Sequence, residues 1–334
     1  MIRDVVTPDT TPAEWDELRS RVRQRVRASL GTPPNLSFAP DYEPLDEFEA
    51  HGLLMKRIKF EATPGYVTHG TLVFPSGPVP RTGRHGVLCM HGTDRDLAHR
   101  NVLSPDEKPD RQYAIELARR GYVALAVDQF GFGAGNRGFE QHDVIRRFYE
   151  GCPEWSLDGI RLWIHQCALD ILSAQDGVAE DYLACIGHSL GGRAAAYLAA
   201  FDDRIAAAVP SAGVSPNVTN VYRNVPGAGS LSPVLDEAVA QAGKPFFEYQ
   251  DLIALCAPRA LLLVEPWNDA YNPYIETVFR CFEKARFVYE LYGEPDNLQI
   301  LCHGDGHDTR PPIREYAYRW IDEKLSAAAS TAAE

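Results

Sequence analysis

Gly187-His188-Ser189-Leu190-Gly191-Gly192 is the stretch of this 334-residue chain whose residue types and spacing point most directly to chemistry. A serine with glycine two residues away on each side suits a very sharp turn. Only glycine lets the flanking segments pass so closely, and the serine is left bare on strained backbone. The apolar run Tyr182–Ile186 before it reads as a strand, and Gly191–Ala200 after it reads as a helix. Ala194, Ala195 and Ala196 would let that helix pack closely. Strand, turn and helix form the context that the G-x-S-x-G pattern requires of a nucleophile, so Ser189 is the expected nucleophile. The turn also brings the backbone N–H of Leu190 to a helix N-terminus, where it can stabilise an oxyanion.

Such a serine needs a base and an acid, and after an α/β-hydrolase elbow the chain order is Ser, acid, His. Of ten histidines, His303 and His307 follow the last apolar run, Leu298–Cys302. His307, in Gly304-Asp305-Gly306-His307, is the expected base, and His303 reads as structural or as a pocket liner. The acid should follow the penultimate strand, Ala260–Val264. Asp269 has that place, while Glu265 lies close to the strand end and is the second choice. Asp296, Asp305 and Asp308 read as loop and turn acids. The second oxyanion donor should follow the strand Gly86–Met90, in His91-Gly92-Thr93-Asp94, which makes the N–H of Thr93 the candidate. His91 reads as a loop histidine.

Two competing patterns are weaker. Gly133-Ala134-Gly135-Asn136-Arg137-Gly138 matches the dinucleotide fingerprint, but five residues separate it from its strand, whereas the fingerprint turns directly off its strand into a helix. His303, His307 and Asp305 lack a third, separated ligand, so no metal is expected. No cofactor is needed either.

Composition narrows the partners. Forty-six Asp and Glu against 33 Lys and Arg give a net charge of −13, which disfavours nucleic acid and anionic membrane surfaces. No apolar run approaches the roughly 18 residues of a spanning helix. The first residues carry no apolar signal core, and the seven cysteines are scattered with no CxxC pair. These features predict a reduced, cytoplasmic protein acting on a small molecule. A homo-oligomer stays open.

The elements that must position these groups alternate along the chain. Thr11-Pro12-Ala13-Glu14 reads as a capping box opening a helix with Trp15, Leu18, Val22 and Val26 on one face. Its arginines, Arg19 to Arg27, read as a solvated face. A Pro-rich linker, Thr32–Pro44, follows. Leu53–Phe60 and Val67–Phe74 suggest a hairpin. Short apolar strands then alternate with helices at Arg111–Arg120, Leu157–Ala174, Gly191–Ala200, Tyr274–Tyr292 and Ile313–Leu325. That rhythm predicts one doubly wound, mostly parallel eight-stranded sheet flanked by helices. Residues 1–50 are expected to form an N-terminal helical extension, 51–325 the α/β domain and 326–334 a disordered tail. Asn136–Trp155 and Val214–Gln250 read as small lid insertions. Their aromatics, with His91, His188, Phe130 and Trp267, are candidate pocket liners: Phe148, Tyr149, Trp155 and Tyr222 above all.

The chain resembles an α/β hydrolase of the dienelactone-hydrolase-like, acetyl-xylan-esterase-like branch. The resemblance rests on LCMHGT (88–93), ARRGYVALAVDQFGFG (118–133), IGHSLGGRA (186–194), DDRIAAAVPSAG (202–213) and DLIALCAPRALLL (251–263). Asp269, the 304–307 stretch and 315–320 extend it, so it covers about residues 52 to 325. It departs at two points: Ser189 stands where dienelactone hydrolases have cysteine, and Thr93-Asp94-Arg95-Asp96 replaces a glycine-rich oxyanion loop. The resemblance implies a Ser-Asp-His hydrolase with the roles on Ser189, Asp269 and His307. It would cleave a carboxylic ester with a small or medium acyl, or aryl, group through an acyl-enzyme. The same triad would serve an acyltransferase, thioesterase, lactonase or peptidase, and the fold could also carry a non-catalytic binding protein.

Overall fold

The short apolar runs form the middle of a sheet because both their faces are covered. The computed structural model describes residues 6, 10–39, 41–80, 83–179, 182–217 and 232–333. Its strands are β1 (Glu43–Ala50), β2 (Leu53–Thr63), β3 (Tyr66–Phe74), β4 (Gly86–Met90), β5 (Val123–Val127), β6 (Leu183–His188), β7 (Ile205–Ser211), β8 (Ala260–Pro266) and β9 (Leu298–His303). They lie in the order β1-β2-β3-β5-β4-β6-β7-β8-β9. The β1–β2, β2–β3 and β3–β5 pairs are antiparallel, and the pairs from β5 to β9 are parallel. In β4, Leu88 and Met90 join the apolar cluster on one face of the sheet, and Val87 and Cys89 join the cluster on the other. This is the period-2 geometry of a strand buried on both sides.

The helices are α1 (Pro12–Leu30), α2 (Tyr113–Arg119), α3 (Gln141–Gly151), α4 (Leu157–Ser173), α5 (Leu190–Phe201), α6 (Pro233–Ala242), α7 (Tyr249–Cys256), α8 (Ile275–Leu291) and α9 (Pro311–Ala333). Ala317, Tyr318, Ile321 and Leu325 of α9 share the second apolar cluster with Tyr113, Ile115 and Leu117 of α2. On the opposite face α1, α4, α5, α7 and α8 cover the sheet. This is the α/β-hydrolase fold.

Four expectations change. The sheet has nine strands among the described residues, not eight. The additional one, β1, is an edge strand whose residues are almost all exposed, so no apolar pattern marks it. Residues 1–50 are not a separate helical extension, because they contain β1 and because Trp15, Val22 and Val26 of α1 are buried in the main core. The arginine face of α1 is not simply solvated either. Arg23 donates to the carbonyls of Ala200 and Phe201 at the end of α5 (3.2 and 3.1 Å), and Arg19 donates to Leu255 of α7 (3.1 Å). Cations there satisfy carbonyls that a helix end leaves unpaired. Finally, α9 continues to Ala333, so residues 326–333 are helical rather than a disordered tail. Alanine is the strongest helix former, and the Ala-rich run simply extends the preceding helix.

Candidate active site

The parallel strands all end on one edge, and the loops leaving β4, β6, β8 and β9 carry the candidate residues. Such carboxyl ends are where open α/β sheets bind ligands. Between β6 and α5 the chain turns at Ser189, whose φ of 58° and ψ of −119° lie in a region that side chains rarely adopt. Its N–H donates to the carbonyl of Ser211 (2.8 Å). The flanking glycines are needed by contact: a Cβ on Gly187 would overlap the Gly191 carbonyl, and one on Gly191 would overlap the Met90 carbonyl. Leu190 is the first residue of α5, so its N–H belongs to the turn that has no intrahelical acceptor.

His307 and Asp269 meet as predicted. Nδ1 of His307 lies 2.7 Å from Oδ2 of Asp269. The Asp269 side chain is buried and also accepts from the Tyr271 N–H (2.7 Å) at Oδ1. Burial works against its charge, but the hydrogen bond and charge of His307 and the amides of Tyr271 and Asn272 outweigh it. Its carboxyl is therefore held below the usual range. Glu265, the second choice, is wholly buried, accepts from the Val214 N–H (3.2 Å) and has its pKa driven far up by desolvation. The carboxylate that meets His307 is that of Asp269. His303 is buried and accepts from the Asp305 N–H (3.3 Å).

Ser189, His307, His188 and Thr93 line one cavity of about 450 Å³. The rest of its wall carries Asp94, Asn101, Glu107, Lys108, Asp110, Arg111 and Asp308, together with Gly92, Pro109 and the aromatic Tyr271. Lys108 pairs with Asp94 (3.4 Å) and Arg111 with Asp308 (2.9 Å). The Asp94 carboxylate also accepts from the N–H of Leu97 (3.0 Å) and the side chain of Asn101 (2.9 Å), so it braces the loop that carries Thr93.

The described aromatic residues of the insertions do not line this cavity. Phe130, Phe148 and Trp155 are buried, and Phe148 packs on Phe130, Tyr149 and Trp155 at centroid distances of 4.9, 5.1 and 5.8 Å. They cluster with one another because that removes more apolar surface from water than lining an open cavity would. Trp267 is exposed and packs beside Gly304, outside the cavity wall. His91 is fully buried behind it. Its Nδ1 lies 2.7 Å from the Gly92 carbonyl and its Nε2 accepts from the Gln129 N–H (3.0 Å). Tyr222 falls outside the described residues. Of the described candidate liners, His188 alone sits on the cavity. The polar liners Lys108, Arg111 and Asn101 were missed because single charged or amide residues in a loop carry no pattern.

The glycine-rich 133–138 segment winds onto a carboxylate. Asp128 accepts from the N–H of Ala134 (3.3 Å) and of His99 (3.0 Å), and pairs with Nδ1 of His99 (2.6 Å). A buried anion already fills the place a phosphate would take. Among the described residues, no group of three or more His, Cys, Asp or Glu is arranged to hold a metal, and no helix is long and apolar enough to cross a membrane.

Comparison with known proteins agrees with this architecture. The chain is 28% identical over 238 residues to a Bacillus subtilis (strain 168) protein named "Putative hydrolase YtaP", covering 70% of this chain and 76% of that one. A glucuronoyl esterase from Solibacter usitatus superposes with a TM-score of 0.73 at 16% identity, over 95% of each chain. Methylesterase BT1017 superposes with a TM-score of 0.68 at 19% identity, over 98% of this chain and 67% of that one. At such identities these structures establish the shared fold. The model of the Abhydrolase family matches residues 4–328, nearly the whole sequence, and the chain belongs to that family.

Proposed function

We propose that this protein is a serine hydrolase that cleaves a carboxylic ester through an acyl-enzyme. One observation carries the reading: Ser189, on its strained turn, shares a cavity with His307, whose other ring nitrogen is bound to the buried, ionised Asp269. The Asp269 contact holds the proton of neutral His307 on Nδ1, which leaves Nε2 as the acceptor. Nε2 takes the Ser189 proton as the hydroxyl attacks the acyl carbonyl, and Asp269 stabilises the imidazolium that forms. The N–H groups of Leu190 and Thr93 bind the oxyanion. His307 returns the proton to the leaving alcohol, and then activates water to release the acid.

The methylesterase and glucuronoyl esterase likenesses support an ester as the substrate. The charged cavity wall favours a small acyl group and a polar alcohol over a long apolar chain. The test is the time course of p-nitrophenyl acetate hydrolysis. The wild type should show a burst of p-nitrophenol, and Ser189→Ala should lose the burst and about 10⁶-fold in kcat. Wild-type activity in that variant would sink the assignment.

A further inference from the structure

The main-chain carbonyl of His307 is held by two side chains that the hydrolytic scheme does not use. Nη2 of Arg111 donates to it at 2.6 Å, and Nε2 of His188 lies 3.1 Å from it. Arg111 comes from the loop before α2 and grips three consecutive residues. Besides the His307 carbonyl it binds the Asp308 carboxylate (2.9 Å) and the Thr309 hydroxyl (3.4 Å). His188 is the last residue of β6, directly before the nucleophile. Its Nδ1 lies 3.0 Å from the Ser211 hydroxyl, and its ring stands edge-on to that of His307 at 4.7 Å.

The protonation of His188 follows from its partners. A carbonyl can only accept, so Nε2 carries the proton and Nδ1 accepts from Ser211. Burial foremost, and then the charge of Arg111, hold the ring neutral. The need for a clamp follows from the loop. His307 follows Gly306, whose φ is +65°, and its ring is hydrogen-bonded by Asp269 and flanked edge-on by Tyr271 (4.6 Å) and His188. Those contacts hold the ring, whereas the position of the main chain from which it extends depends on what holds its carbonyl. A displacement of about 1 Å in such a base can cost about 100-fold in rate.

We propose that Arg111 and His188 are positioning residues, forming a two-donor clamp on the His307 carbonyl that sets the base in register with the nucleophile beside His188. This rests on the reading of His307 as the base of Ser189. The test uses the full-length protein with p-nitrophenyl acetate and the variants Arg111→Met, His188→Phe, their double, and the donor-keeping Arg111→Lys and His188→Gln. Each donor-deleting variant should lower kcat by about 10- to 100-fold while KM moves by less than about threefold. The double should lose far less than the product of the singles, because both act on one atom. His188→Gln, which keeps an N–H near the Nε2 position, should recover most of the rate. Arg111→Lys serves the same comparison if Arg111→Met fails to fold. Losses that multiply, or His188→Phe within twofold of wild type, would overturn the clamp. Full activity in Ser189→Ala would instead overturn the reading beneath it.

Discussion

The cavity in front of Ser189 and the aromatic cluster around α3 exchange the characters that their sequences suggest. The insertion carrying Phe148, Tyr149 and Trp155 has the composition of a binding pocket, yet its rings stack on Phe130 and on one another, with Phe148 and Trp155 buried and Tyr149 half-buried. The segment from Asp94 to Arg111 has the composition of an ordinary surface loop, yet it lines the cavity. The difference follows from what each residue type gains. Aromatic rings stabilise most when their whole area is covered, whereas charged groups hold their places only where water or an ion partner reaches them. Composition in a loop therefore reports what the residues want, not what they face.

Variants on each side test that contrast. On the cavity side the largest effect should come from Asp269→Asn, which keeps the shape but loses the tautomer control of His307. A loss of about 10⁴-fold in kcat is expected with the melting curve unchanged. On the aromatic side Phe148→Ala should cost about 3–5 kcal/mol in urea unfolding because it opens a hole among three rings. Its KM should stay at the wild-type value. A raised KM without lost stability would put the cluster back in the substrate pocket.

Protonation separates the regions as well. His91 and His165 are fully buried, and desolvation lowers their pKa values to about 4 and about 3. An unfolded histidine takes up its proton near pH 6.5, so between there and the folded values the unfolded state binds more protons. Their contribution is thus fully present above about pH 6.5 and is lost as the pH falls. Stability measured by urea melts should decline by up to about 1.4 kcal/mol per pH unit for each histidine over that window. His165, whose ring nitrogens have no hydrogen-bond partner among the described residues, should give a shallower slope when changed to Phe.

Substrate chain length probes the polar wall directly. The kcat/KM should fall from p-nitrophenyl acetate to the octanoate, since charged and amide groups make up most of the wall's side chains. A rise with chain length would mean that the apolar residues form the working pocket. The smallest effect should be that of Glu265→Gln. Burial raises the pKa of Glu265 and the side chain stands apart from the His307–Asp269 contact, so an amide of the same shape should leave kcat within about threefold, against the large loss at Asp269.

Much of this arrangement was legible in the residues. The eight apolar strands, the elbow at Ser189 and the order Ser189, Asp269, His307 are all local: each depends on a short run of residue types and its neighbours in the chain. β1 was not legible, because an edge strand with nearly every side chain in water needs no apolar alternation. The role of the arginines on α1 was hidden for the complementary reason. Their partners are carbonyls of α5 and α7, about 180 to 240 residues away, and a backbone acceptor leaves no mark in the sequence.

By itself, then, the sequence determined the α/β-hydrolase fold and the place of each candidate reacting group at the end of its strand. Those features are set by short-range periodicity, by glycine geometry and by strand-helix alternation. Only the tertiary structure decided which carboxylate meets His307, that charged side chains line the cavity among the described residues, and that Arg111 and His188 meet on one carbonyl. These are outcomes of long-range packing and desolvation, which act between residues that the chain order keeps far apart.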